Sequence, residues 1–207
     1  MKAVLISIQP KWCELIASWK KTVEVRKTRP NMDVPFKCYI YCTNSKIEFL
    51  QSRSNVLFYC ENKDFIGGHG PGSYTRLNSH VIGEFVCDSI EHYTSNCTVF
   101  ESVLLPSPSE LEEMCLTLTE FNSYGTRGKL LYGWHISDLV IYDRPKELSE
   151  FITICSEWEK EYFTNKCLSC KYYFSNCADM RHECTVEGEK PITRPPQSWC
   201  YVEVQDG

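Results

Sequence analysis

The sequence predicts an α+β chain, one domain over residues 1–207 that carries a cysteine-rich insertion at 155–190. Three observations lead there. Short runs in which apolar and polar residues alternate, the period of a strand, recur along the chain. Short stretches at helical spacing interrupt them. Four of the thirteen cysteines fall at positions 167, 170, 177 and 184, in a segment otherwise polar and aromatic. A hydrophobic content of 43% and a charged content of 24% are ordinary for a soluble globular chain.

Residues 3–8 form an apolar run of strand length. A helix follows, with Pro10 suited to its first position because its fixed φ fits and its missing N–H has no helical partner there anyway. Trp12, Leu15, Ile16 and Trp19 recur at i, i+3, i+4 and i+7 and predict its apolar face. After Lys20 and Lys21 the period drops to 2. Val23 and Val25 then point one way, and Thr22, Glu24, Arg26 and Thr28 the other. That polar row reads either as a solvated strand face with a weak ion pair or as the wall of a cleft. In a cleft, Glu24 accepts from a ligand donor while Lys21 and Arg26 meet an anion or a carbonyl.

Residues 31–35 are a loop, and 37–43 a strand in which Cys38, Ile40 and Cys42 alternate with Tyr39, Tyr41 and Thr43. Cys42 reads as a buried inert thiol or as a reactive one. Between 44 and 80 the pattern weakens. Residues 55–60 can form a strand, and the glycine-rich 65–72 reads as a rim loop rather than a phosphate cradle, since no Lys-Ser/Thr pair follows it. Residues 80–90 are a strand with a bulge or close approach at Gly83. Two short helices follow at 108–114 and 116–123, capped by Ser107 or Ser109 and by Thr117 with Glu120. Strands are expected at 130–136 and 139–142, a short helix from 144 with Asp143 as its cap, and a closing strand at 198–204.

The run Ser7-Ile8-Gln9-Pro10-Lys11-Trp12, followed by Lys21-Thr22-Val23-Glu24-Val25-Arg26, resembles the signature of the ASCH domain family. Lys21, Glu24 and Arg26 match that family's motif in identity and spacing; Trp19 stands where the family has glycine, and Lys11 is inserted after Pro10. The likeness covers residues 3–43 strongly, extends to 81–87 and 132–142, and is absent between 155 and 190. It implies a PUA-like β-barrel flanked by short helices, with a cleft lined by Gln9, Lys21, Glu24 and Arg26. Tyr132 and Trp134 are candidate stacking residues there, although Trp134 reads equally well as core.

The implied partner is RNA, another single-stranded nucleic acid or a modified nucleoside. A hydrolase on nucleosides or RNA, similar to 4-acetylcytidine amidohydrolases or ribonucleases, is the alternative, with Lys21, Glu24 and Thr22 as its catalytic residues. In such amidohydrolases the nucleophile's position is Glu24 here, which counts against direct transfer. A net charge of -5 argues against broad adhesion to nucleic acid, but Lys11, Lys20, Lys21, Arg26, Lys27 and Arg29 form a local basic cluster suited to a confined site.

Cys167 and Cys170 have the spacing of a zinc knuckle that Cys177 and Cys184 can close, with His182 able to replace one thiolate. Structural zinc would supply folding energy that so few aliphatics cannot. Free thiols are the other reading. A third function, a protein-binding adaptor, rests on this segment and on Tyr172, Tyr173 and Phe174. With no export signal or membrane-length apolar run in the sequence, the expected location is cytoplasmic, with reduced thiols.

Overall fold

Strand β1 (Lys2–Ile8) is buried from Ala3 onward, as a strand covered on both faces must be. In the computed structural model, which describes residues 1–60, 74–94, 105–125, 129–153, 173–176, 181–184 and 190–205, it sits near the middle of an eight-stranded sheet. The chain runs from β1 through α1 (Pro10–Ala17) and β2 (Val23–Arg26) into β3 (Phe36–Cys42), which pairs parallel with β1 from Val4↔Cys38 to Ile8↔Cys42. Two long antiparallel strands, β7 (Val81–Thr94) and β8 (Leu130–Lys146), extend the sheet beyond β3. β13 (Trp199–Glu203) closes on the other side of β1, followed by the short β9 (Ile152–Thr153) and β12 (Lys190–Pro191). Three further strands, β4 (Glu48–Ser52), β5 (Leu57–Cys60) and β6 (Tyr74–Arg76), make a separate sheet from the weakly patterned region.

The sheet does not close. Its order is β12-β9-β13-β1-β3-β7-β8-β2, so β12 and β2 are edges, and the expected barrel is an open mixed sheet among the described residues. The two faces are covered separately. One carries Val4, Ile6, Ile8, Cys38, Ile40 and Cys42 against Cys13 and Ile16 of α1. The other carries Leu5, Tyr39, Tyr41 and Val202 against Leu148 and Phe151. Beneath β2 lies a third cluster, in which Val23 and Val25 meet Met114 of α2 (Pro108–Met114) and Phe121 of α3 (Leu118–Tyr124).

The caps of α2 and α3 are reciprocal boxes. Ser107 and Thr117 accept from the backbone N–H of Glu110 and Glu120, whose carboxylates accept from the cap N–H groups in return. Residues 144–146 belong to β8 instead of starting a helix, and a single 3-10 turn follows at Leu148–Glu150. The buried side of α1 is Pro10, Cys13 and Ile16, while Trp12 is only half-buried and Trp19 lies past the helix end.

At Gly83 the predicted close approach is present. A Cβ there would meet the Val140 carbonyl oxygen at 2.3 Å, a backbone atom that cannot swing aside. Gly83→Ala is expected to cost about 1–3 kcal/mol, the usual range for forced overpacking, read as a lowered midpoint in urea unfolding. An unchanged midpoint would mean that β7 and β8 are free to separate there.

The zinc candidates Cys167, Cys170 and Cys177 lie outside the described residues. Cys184 ends β11 (Arg181–Cys184), which also holds His182 and pairs with β10 (Tyr173–Asn176). The glycine-rich loop at 65–72 and residue 172 are outside the described residues too. No described helix is long and apolar enough to cross a membrane.

Candidate functional site

The turn out of α1 delivers the site. Trp19 takes φ 58, a left-handed conformation. Its N–H donates to Ile16 O at 2.9 Å, and the Lys20 N–H donates to Leu15 O at 2.9 Å. This is the hydrogen-bond pattern of a Schellman cap, built with tryptophan where glycine is usual. The reversal points Lys21 inward and starts β2. Left-handed backbone costs a residue with a Cβ about 1–2 kcal/mol, and Trp19 is 51% exposed, so little packing offsets that cost. Trp19→Gly is accordingly expected to stabilise the protein by about 1 kcal/mol after glycine's larger unfolded-state entropy is deducted. A destabilised Trp19→Gly variant would show that the indole contributes more packing than its exposure implies.

Lys21, Glu24 and Arg26 form one buried cluster, 3%, 6% and 7% exposed. The solvated-face reading of β2 is thereby excluded. Lys21 Nζ donates to Met114 O at 2.7 Å and stands 3.5 Å from Glu24 Oε2. Arg26 Nε lies 3.0 Å from Glu24 Oε1, and its Nη2 donates to Ser7 O at 2.7 Å. The Arg26 Nε–H is not aimed well enough at the carboxylate to bond it, so this contact is electrostatic and leaves a buried donor unpaired. Burial is the main influence on Lys21 and pulls its pKa below the ordinary lysine value, against the opposing pull of Glu24. Two cations share one carboxylate, which leaves the cluster net positive.

The cluster opens on a cavity of about 670 Å³. Gln9, Lys21, Glu24 and Arg26 all line it, as the motif implies, together with Trp12, Thr43, Tyr124 and the Pro195–Gln197 stretch. Lys21 Nζ also stands 5.1 Å from the centroid of the Trp12 ring. Thr22 is not among the lining residues; its backbone groups are taken by Glu113 O and the Ile136 N–H.

Tyr132 and Trp134 do not line the cavity either. Trp134 is fully buried in the core, edge-on to Phe36 at 5.8 Å and tilted against Trp199 at 6.2 Å, while Tyr132 packs half-buried at the margin of that cluster. The aromatic walls are instead Trp12 and Tyr124. Sequence pattern placed Trp12 on the core face of α1 and left Tyr124 beyond the helix expected at 116–123, and no periodicity distinguishes a residue facing a hollow from one facing a core.

Cys42 is buried beside Cys13, whose thiol is pushed well above its usual value by burial and by Cys42 itself. Neither lines the cavity. Among the described residues no group of three or more His, Cys, Asp or Glu side chains is arranged to hold a metal.

No protein-family model and no curated protein matches this sequence. Among solved structures, the chain is similar to the crystal structure of ASCH from Zymomonas mobilis, at 18% identity over 70% of this chain and 73% of that one, with a TM-score of 0.44. A tyrosine-to-phenylalanine variant of that protein matches at 18% identity, 72% and 77% coverage and a TM-score of 0.43. A serine-to-alanine variant matches at 15%, 97% and 88%, and 0.47. These are structures of the family that the segment from Lys21 to Arg26 resembles.

Proposed function

We propose that the cavity binds a nucleobase, presented by RNA, by another single-stranded nucleic acid or by a modified nucleoside. The observation that carries this reading is a buried, net-positive Lys21–Glu24–Arg26 cluster opening into a hollow with Trp12 and Tyr124 among its walls. Its volume lies within the range of small-molecule pockets, about 300–1,000 Å³. Aromatic rings stack on any base, the cations meet carbonyl or phosphate oxygens, and the carboxylate accepts from amino or ring N–H groups. Gln9 stands at the rim with both a donor and an acceptor.

The test is titration of a short labelled single-stranded RNA and of free nucleosides, 4-acetylcytidine among them, against the parent protein and Lys21→Met. Saturable binding that weakens at least tenfold in Lys21→Met supports the reading, whereas equal binding by both proteins overturns it. The ligand's oxygen is held by the Lys21 ammonium. Affinity is therefore expected to fall as pH rises through the lowered Lys21 pKa, at a pH below the ordinary 10.5, and Lys21→Met should lack that limb.

A hydrolytic reading draws on the same depressed lysine, which is a competent proton acceptor near neutrality only if its pKa falls that far. With Thr22 off the cavity it lacks one of its three expected catalytic residues, and release of acetate from 4-acetylcytidine is the measurement that would revive it. For residues 155–190 we propose structural zinc held by Cys167, Cys170, Cys177 and Cys184. Metal analysis of the purified chain should return one zinc per molecule, and a metal-free folded protein removes the proposal.

A further inference from the structure

Strand β2 is an edge of the sheet, paired with β8 and with no other described strand. In an antiparallel pair, residues alternate between those whose N–H and C=O both face the partner and those whose groups both face away. The Ile136 N–H donates to Thr22 O at 2.9 Å, and the same register sets Glu24 opposite Trp134 and Arg26 opposite Tyr132. The ladder bonds therefore belong to residues 22, 24 and 26, and the peptide groups of Val23 and Val25 face away from β8. Val25 sends its side chain into the Met114–Phe121 cluster, yet it lines the cavity. With its side chain taken by that cluster, its backbone is what remains to face that wall. Val25 is only 6% exposed, and among the described residues no hydrogen bond reaches its N–H or its C=O. Polar backbone groups that face a hollow, with no bond to the rest of the described chain, are free to take a ligand in place of water.

We infer that the open edge of β2 at Val25 reads the ligand's heterocycle. The residue offers a donor and an acceptor side by side, as it would to a neighbouring strand. The complementary edge has a hydrogen-bond donor next to an acceptor: a ring N–H beside a carbonyl, or an amino group beside a ring nitrogen. The ligand class is then a nucleobase whose donor–acceptor edge is unsubstituted, with the cations and Glu24 meeting its remaining polar groups. This rests on the base-binding reading of the cavity and narrows it. Side-chain substitution cannot abolish such recognition directly, because the reading groups belong to the main chain.

The experiment uses the whole ¹⁵N-labelled chain. Uridine, cytidine, adenosine and guanosine 5′-monophosphates are titrated beside counterparts fully methylated at the donor nitrogen of that edge. Affinity is followed by calorimetry and the Val25 amide by NMR. The expected result is that at least one nucleotide binds, that its methylated counterpart binds at least tenfold more weakly, and that saturation moves the Val25 amide proton downfield. Equal binding of both forms with an unmoved Val25 amide overturns the edge inference and leaves base binding standing. Failure of every nucleotide to bind removes the underlying reading and this inference with it. A Val25 shift produced only by an extended peptide assigns the edge to strand addition and likewise overturns it.

Discussion

Glu24→Ala is expected to destabilise the protein by about 3–5 kcal/mol, the usual cost of breaking a buried ion pair from one side. The carboxylate is the common partner of Lys21 and Arg26, at 3.5 Å and 3.0 Å, and all three side chains are buried. Removing it leaves two largely buried cations held by the carbonyls of Met114 and Ser7 and, for Lys21, by the face of Trp12. Glu24→Gln should lie between, because the amide oxygen still accepts but carries no charge. Replacing all three residues together with leucine or methionine should recover most of the loss, since a desolvated charge cluster contributes little net stability over a packed apolar one. The measurement is urea unfolding of the four proteins. A loss below about 1 kcal/mol in Glu24→Ala, the level of an exposed pair, would show that solvent screens the cluster.

The second large effect separates two tryptophans. Trp134→Ala is expected to cost about 3–5 kcal/mol, because it empties a fully buried site between Phe36 and Trp199. Trp134→Phe should cost much less, as the indole N–H has no hydrogen-bond partner to lose. Trp12→Ala removes a half-buried ring from the cavity wall, so stability should fall by only about 1 kcal/mol while base stacking, worth about 1–3 kcal/mol per base, is lost. Unfolding midpoints and nucleotide affinities of the three variants check this. The reverse pattern, with Trp12→Ala unfolding the protein and Trp134→Ala binding weakly but folding well, would return the stacking role to Trp134.

Much of this was legible from residue order alone, and what was not has physical causes. The strand–helix–strand unit from residue 3 to 26 could be read because its periods differ sharply and Pro10 marks the helix start. The caps of α2 and α3 were legible because a capping box is a local chemical exchange between residues three apart. Closure of the sheet was not, because it depends on whether β2 and β12 meet, and no local pattern encodes a contact between strands so distant in sequence. The lining of the cavity was half legible. Lys21, Glu24 and Arg26 stood out by their match to the family motif, since alternation alone left a solvated face open, whereas Pro195–Gln197 joins the wall through the return of the last strand. Residues 144–146 were misread as a helix start, since Pro145 suits the first turn of a helix as well as the end of a strand near a sheet margin.

The pairing of β9 with β12 has a consequence of its own. Thr153 and Lys190 stand opposite each other, so the chain departs from the sheet and re-enters it through one doorway. The described residues that line the hollow all lie outside 154–189, and lengthening such an excursion adds only a slowly growing entropic cost. Changes of length between those two residues are therefore expected to leave the Lys21–Glu24–Arg26 chamber as it is, so that stretch and the chamber can diverge at separate paces.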